Sequence, residues 1–212
     1  VTITAAVSSN ATGTVTFTSG SQNLGSGTMS GGKATVTTSV LPVGTDTITA
    51  SYGGDANDNT ATGTTTQTVT KSATTSLTLT SSANPSTYGQ SVTFTATVAT
   101  GATGTVTFTN GATTIGTGTI SGNTATVTTT TLPVGSDAIK ATYGGDSNFN
   151  SATASLTQTV NKASPTGTLT WATNPSAANQ SVTFTATLPT TVAGAVTFKN
   201  GSTTLGSSTV TN

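Results

Sequence analysis

The chain has 212 residues, 32% apolar and 5% aromatic, and its five lysines and five aspartates cancel to zero net charge without any Arg, Glu, His or Cys. A neutral surface without Arg argues against nucleic acid as a partner, whose binding depends on neutralising phosphates, and the lack of Cys excludes disulfides and thiolate metal sites. No apolar run approaches the ~20 residues that a membrane-spanning helix needs, and no signal peptide is visible, so an anchor or export signal is expected outside these residues.

Threonine is the commonest residue. Its branched Cβ favours extended backbone while its hydroxyl keeps strand faces wet, so hydroxyls replace ionisable groups on the expected surface. Few Lys and no Arg also leave little for trypsin-like proteases, which suits an exposed, extracellular or cell-surface setting.

The first distinctive segment, GTVTFTSG at 13–20, returns as GTVTFTNG at 104–111 and as GAVTFKNG at 194–201, offsets of 91 and 90 residues. LPVG at 41 and 132 and YGGD at 52 and 143 repeat at 91, while NPS at 84 and 174 and QSVTFTAT at 90 and 180 repeat at 90. A period of this size matches one small β-sandwich. Residues 1–73 are read as a repeat lacking its first strand, residues 74–163 as a complete repeat, and residues 164–212 as the N-terminal half of a third, a window on a longer array.

In the middle repeat apolar and Thr residues alternate along the chain: Val92, Phe94, Ala96 and Val98, then Val106 and Phe108, Ala125 and Val127, Ile139, Ala141 and Tyr143, and last Leu156 and Val160. Period two predicts strands with one apolar face and one Thr face, and ANPS, ATGATG, TNGAT, SGN, LPVG and GGDSN supply the turns. No segment has helical periodicity. About seven short half-wet strands predict an all-β, antiparallel sandwich. The junctions TKSATT at 70–75 and NKASPT at 161–166 are short enough to restrict how neighbouring repeats sit, giving a slim rod.

Two motifs invite a chemical reading. In YGGDANDN and YGGDSNFN, Asp55, Asn57 and Asn59, and Asp146, Asn148 and Asn150, sit at i, i+2 and i+4 like the first ligands of a calcium loop. The later Glu of such a loop is missing, so any Ca²⁺ affinity is expected in the millimolar range of extracellular modules. The structural alternative ranks first: a corner in which Gly53-Gly54 supply unusual backbone angles and Asp and Asn cap their own turn. The Thr faces are the other motif. Thr93, Thr95, Thr105 and Thr107 are candidates for O-linked sugars, and Asn10, in the triplet NAT, for an N-linked one; plain solvated strand faces are the alternative, and an ice-matching face ranks last because sandwich sheets twist. Trp171, which replaces Ser81 of the middle repeat, is read as filling a domain junction or stacking on a sugar.

TLTSSANPSTYGQSVTFTATV, GTVTFTNGATTIGTGTI and LPVGSDAIKATYGGDSNFNSATASLTQTV together resemble the bacterial Ig-like repeat domains that occur in tandem in large secreted and surface-attached proteins. The resemblance implies tandem immunoglobulin-like sandwiches serving as spacers, stalks or adhesin segments. Some Ig-like adhesin domains also carry Thr–Gln ester or Lys–Asn isopeptide cross-links; Gln158, sharing parity with Leu156 and Val160, and its counterpart Gln67 are read instead as hydrogen-bonded, since no His or Glu is present to assist.

With no His, Cys, Glu or Arg, most acid, base and nucleophile roles are unfilled, and no enzyme and no cofactor beyond weak Ca²⁺ is expected. The expected function is structural: a module of a bacterial extracellular fibre or adhesin stalk, with neighbouring copies and covalent glycans as partners. A glycan- or host-protein-binding adhesin module and a phage-particle decoration domain are the alternatives.

Overall fold

A computed structural model of the chain describes residues 1–72, 76–190 and 192–210; the 73–75 part of the first junction lies outside them. The first repeat contributes β1 (Thr2–Ala6), β2 (Thr14–Ser19), β3 (Gln22–Thr28), β4 (Lys33–Thr37), β5 (Gly44–Tyr52) and β6 (Ala61–Val69). The second contributes β7 (Thr78–Ser81), β8 (Ser86–Thr87), β9 (Val92–Thr97), β10 (Thr105–Asn110), β11 (Thr113–Thr119), β12 (Thr124–Thr129), β13 (Gly135–Tyr143) and β14 (Ala152–Asn161). The third shows β15 (Thr168–Trp171), β16 (Phe184–Thr187), β17 (Gly194–Asn200) and β18 (Thr203–Val210).

In the second repeat the sheet β12-β9-β7 faces the sheet β11-β10-β13-β14-β8. The predicted alternation becomes burial: Val92, Phe94, Ala96, Val106, Phe108, Ala125, Ile139, Ala141, Tyr143 and Val160 fill one core between the layers. Phe94 and Phe108 are fully enclosed, and sequestering each such side chain contributes about 1.5–3 kcal/mol. The first repeat packs the equivalent Ile3, Val15, Phe17, Ile48 and Tyr52 between β1-β4 and β3-β2-β5-β6. Among its described residues no strand stands where β7 lies in the second repeat, and a groove of about 310 Å³ opens between Ile3 and Ala5 on one side and Gly63 and Thr65 on the other.

Two features depart from plain antiparallel alternation. β8 pairs parallel with the end of β14, Ser86 opposite Val160 and Thr87 opposite Asn161. β11 and β12 belong to different sheets yet nearly touch: a Cβ on Gly118 would stand 2.5 Å from the Thr126 carbonyl oxygen, and one on Gly27 2.4 Å from that of Thr35. Glycine at these positions lets the two layers close along one side.

Candidate functional site

The corner between β13 and β14 begins at buried Tyr143. Gly145 adopts φ +85° and Gly54, its counterpart, φ +81°, and a Cβ on either would fall within 3 Å of a backbone oxygen, that of Phe149 or Asp58. Only glycine meets both demands. Gly53 and Gly144, by contrast, have open space and need no left-handed backbone, so the unusual angle expected of the glycine pair belongs to its second member alone.

The turn closes on the aspartate. One Asp146 oxygen accepts from the Asn148 and Phe149 amides at 2.8 and 2.9 Å, and the other accepts from the Thr103 amide and hydroxyl at 2.8 and 2.9 Å. Asp55 repeats the arrangement with the Asn57 and Asp58 amides and with the Thr12 amide and hydroxyl. These donors favour the ionised carboxylates and hold both well below the usual range, led by the Thr103 amide for Asp146 and the Asn57 amide for Asp55. Burial, and then the adjacent carboxylate, pushes the Tyr143 and Tyr52 phenols up; neither hydroxyl has a hydrogen-bond partner within bonding geometry.

The chemistry of this donor set is that of a cap. All four directions around each carboxylate are taken by N–H and O–H groups, which a cation would have to displace. Asn57 and Asn148 donate their backbone amides to the aspartates, and among the described residues no group of three or more Asp, Glu, His or Cys gathers. Asn59 and Asn150 stand exposed at the far side of the turn.

The second repeat's corner also carries the incoming chain. The Ser72 amide donates to the Asn148 carbonyl at 2.8 Å, the Asn150 amide donates to the Ser72 carbonyl at 3.0 Å, and the Lys71 ammonium donates to the Asp146 carbonyl oxygen. Ser72 and Phe149 thereby form a parallel bridge. Nothing in the composition or periodicity of TKSATT signalled this contact.

At the opposite end of the second repeat, Gln158 points inward as its parity requires and is fully buried. Its oxygen accepts from the Ser81 hydroxyl at 2.7 Å, and its amide donates to the Ala83 carbonyl at 2.8 Å and to the Ser86 hydroxyl at 3.1 Å. Asn84 adds two bonds to the β14 backbone, at Thr157 and Thr159. Together these fasten the 81–86 segment to the last strand. Gln67 lacks that cover, and its side-chain amide donates to the neighbouring Thr68 carbonyl.

The Thr candidates lie on the outward faces. Thr93 meets Thr128 across the ladder with hydroxyl oxygens 2.9 Å apart, the Thr95 carbonyl accepts from the Thr80 hydroxyl, Thr105 is exposed and Thr107 half-buried. Asn10 is exposed, two residues before Thr12, whose hydroxyl is committed to Asp55. Trp171 is 49% exposed and lies opposite Phe184 on the open face of β15 and β16.

Comparison with known proteins supplies the family. The model of the bacterial Ig-like domain (group 3) matches residues 1–70 and again 79–161. No match was found among proteins of curated function. Solved structures that match include the fibronectin(III)-like modules of Clostridium thermocellum CbhA, at 16% identity and TM-score 0.31 over 76% of this chain and 85% of that one. A 1.5-MDa bacterial ice-binding adhesin gives 17%, 0.32, 81% and 61%, and a three-Ig titin segment gives 13%, 0.32, 98% and 75%. With two matched segments that together span most of its length, each folded as a two-layer sandwich, the chain belongs to the bacterial Ig-like domain family, group 3.

Proposed function

We propose that this chain is a structural, non-catalytic module of a bacterial extracellular fibre or cell-surface adhesin stalk. The observation that carries the reading is the use of charge. All five acidic residues of the sequence accept hydrogen bonds that hold the sandwiches together: Asp46 from Ser19, Asp55 from Thr12, Asp58 from Ser8, Asp137 from Asn110 and Asp146 from Thr103. Asp55, Asp58 and Asp146 close corners, and Asp46 and Asp137 tie neighbouring strands together from within β5 and β13, where one oxygen of each is buried without a partner among the described residues.

The ladders suit a load-bearing role. β13 and β14 align nine residue pairs, from Gly135–Val160 to Tyr143–Ala152. β8 runs parallel to β14 through Ser86–Val160 and Thr87–Asn161, so tension applied at the two ends of the repeat pulls β8 and β14 in opposite directions along their length. Their hydrogen bonds are then strained together, not one after another. A coat of O-linked glycans on outward threonines belongs to the same reading and implies hexose-spaced mass increments on native material; a native mass equal to the sequence mass removes it.

Electron cryo-microscopy of source cells, with antibody raised against residues 74–163, tests the assignment. Label on thin rods or fibres outside the envelope is expected. Label confined to the cytoplasm overturns it.

A further inference from the structure

The corner has two independent copies in this chain, and they differ in what lies on them. In the second repeat the junction Lys71-Ser72 is seated on residues 146–150 through two backbone hydrogen bonds and the Lys71 ammonium. In the first repeat the same turn is built, with the same aspartate cap, the same glycine geometry and the same closing bond from the Asp55 amide to the Asp58 carbonyl at 2.9 Å. No described segment is paired with its Asn57 carbonyl or its Asn59 amide. The shape is thus preformed, not moulded by the strand that docks on it. A preformed acceptor costs little to occupy, because the turn is already ordered by its own cap.

We propose that this corner is the docking site through which each repeat takes the junction of the repeat before it, and that residues 54–60 are the same acceptor for the junction of a preceding copy. The partner chemistry is an extended backbone, offering one N–H and one C=O, preceded by a lysine. Lys162, at the counterpart of Lys71, begins a second junction of this kind. Since the bonds run to main-chain atoms, the acceptor tolerates the change from Phe149 to Asp58 between copies. Docking fixes the orientation of neighbouring repeats, which a covalent junction of a few residues only restricts. The inference stands apart from whether the array is a fibre or a stalk.

The whole chain supports the test, and its lack of cysteine allows clean labelling. Spin labels on Thr64→Cys and Thr153→Cys, both on exposed strand positions, report the spread of distances between the first two repeats. Amide exchange reports Asn150 directly. A narrow distance distribution and a protected Asn150 amide are expected. Ser72→Pro, which deletes the donated N–H, should at least double the width and speed Asn150 exchange about tenfold or more, with Lys71→Ala giving a smaller change in the same direction. Unchanged protection at Phe94 and Ala141 shows that the repeats remain folded. The double substitution Ser147→Ala and Phe149→Asp converts the second corner into the sequence of the first; retention of the narrow distribution supports the first corner as an acceptor, and its loss in a folded protein removes that corner from the proposal. An Asn150 amide that exchanges freely in the unsubstituted chain, or a width indifferent to Ser72→Pro, overturns the proposal as a whole.

Discussion

The Asp146 carboxylate holds Thr103 by both its amide and its hydroxyl across 43 residues of chain, joining the loop after β9 to the corner after β13. Asp146→Ala removes all of these bonds and the two that close the turn. The expected loss is that of a strong cap, a fall of about 4–8 °C in the unfolding midpoint of the second repeat, read from its own amide signals. Folding lowers this carboxyl from its ordinary 3.8, so the unfolded chain binds the proton more readily. The stability it confers is therefore complete above 3.8 and declines as pH falls below that value. The gap between the parent and Asp146→Ala should close as the solution is acidified; a gap that is constant with pH would show that the ionised carboxylate is not the stabilising species.

Gln158 is a buried amide on β14 bonded to three polar partners on the 81–86 segment, Ser81, Ala83 and Ser86. Gln158→Leu keeps most of the volume and strands those partners, at a cost of about 1–3 kcal/mol. Urea unfolding of the second repeat measures it, and the amides of residues 82–93 should exchange faster well before the core opens, because the hub fastens that segment to β14. The same sample gives the intact mass: agreement with the sequence leaves Gln158 hydrogen-bonded, whereas one ammonia fewer would reveal a cross-link.

How much of this was legible depends on range. Alternation is local, so the strands and the inward faces of Val92, Phe94, Ile139 and Gln158 followed from period two. β8 was not visible, because Ser86-Thr87 is too short to alternate and its pairing with Val160 is parallel and distant. The aspartate cap was half visible. Asp146 and Asp55 announced a turn, but their threonine partners sit 43 residues upstream in each copy, and the only clue was ATG recurring at 11 and 102. The Lys71-Ser72 contact left no trace in the sequence, since its recognition runs through backbone atoms.

Gly118 tests whether closure of the two layers is as tight as the geometry implies. A Cβ there would lie 2.5 Å from the Thr126 oxygen and 2.7 Å from its nitrogen, both backbone atoms that cannot swing aside. Gly118→Ala should cost about 1–3 kcal/mol through overpacking. Gly144→Ala, where nothing lies within 4 Å, serves as the control and should stay within about 0.5 kcal/mol of the parent. Equal stability of the two variants would mean that β11 can draw back from β12 at no cost.

The threonine faces present a subtler question, whether the hydroxyls do anything beyond meeting water. Thr93 and Thr128 are opposite each other in the β9–β12 ladder, and their hydroxyl oxygens approach to 2.9 Å. Thr2 and Thr37 do the same in the first repeat at 3.1 Å. Such a pair can donate in only one direction at a time, so each threonine keeps donor or acceptor capacity for water, and the net gain is that of one exposed cross-strand contact. A double-mutant cycle with Thr93→Val and Thr128→Val isolates it, because valine preserves the branched shape and strand preference while removing the hydroxyl. The coupling energy should fall at about 0.2–1 kcal/mol. Multiplied along several ladders, a term of that size adds stability without charge, and it would persist in high salt where surface ion pairs fade. Zero coupling would reduce the threonines to solvated strand formers and shift the explanation of their abundance to the sugars they are able to carry.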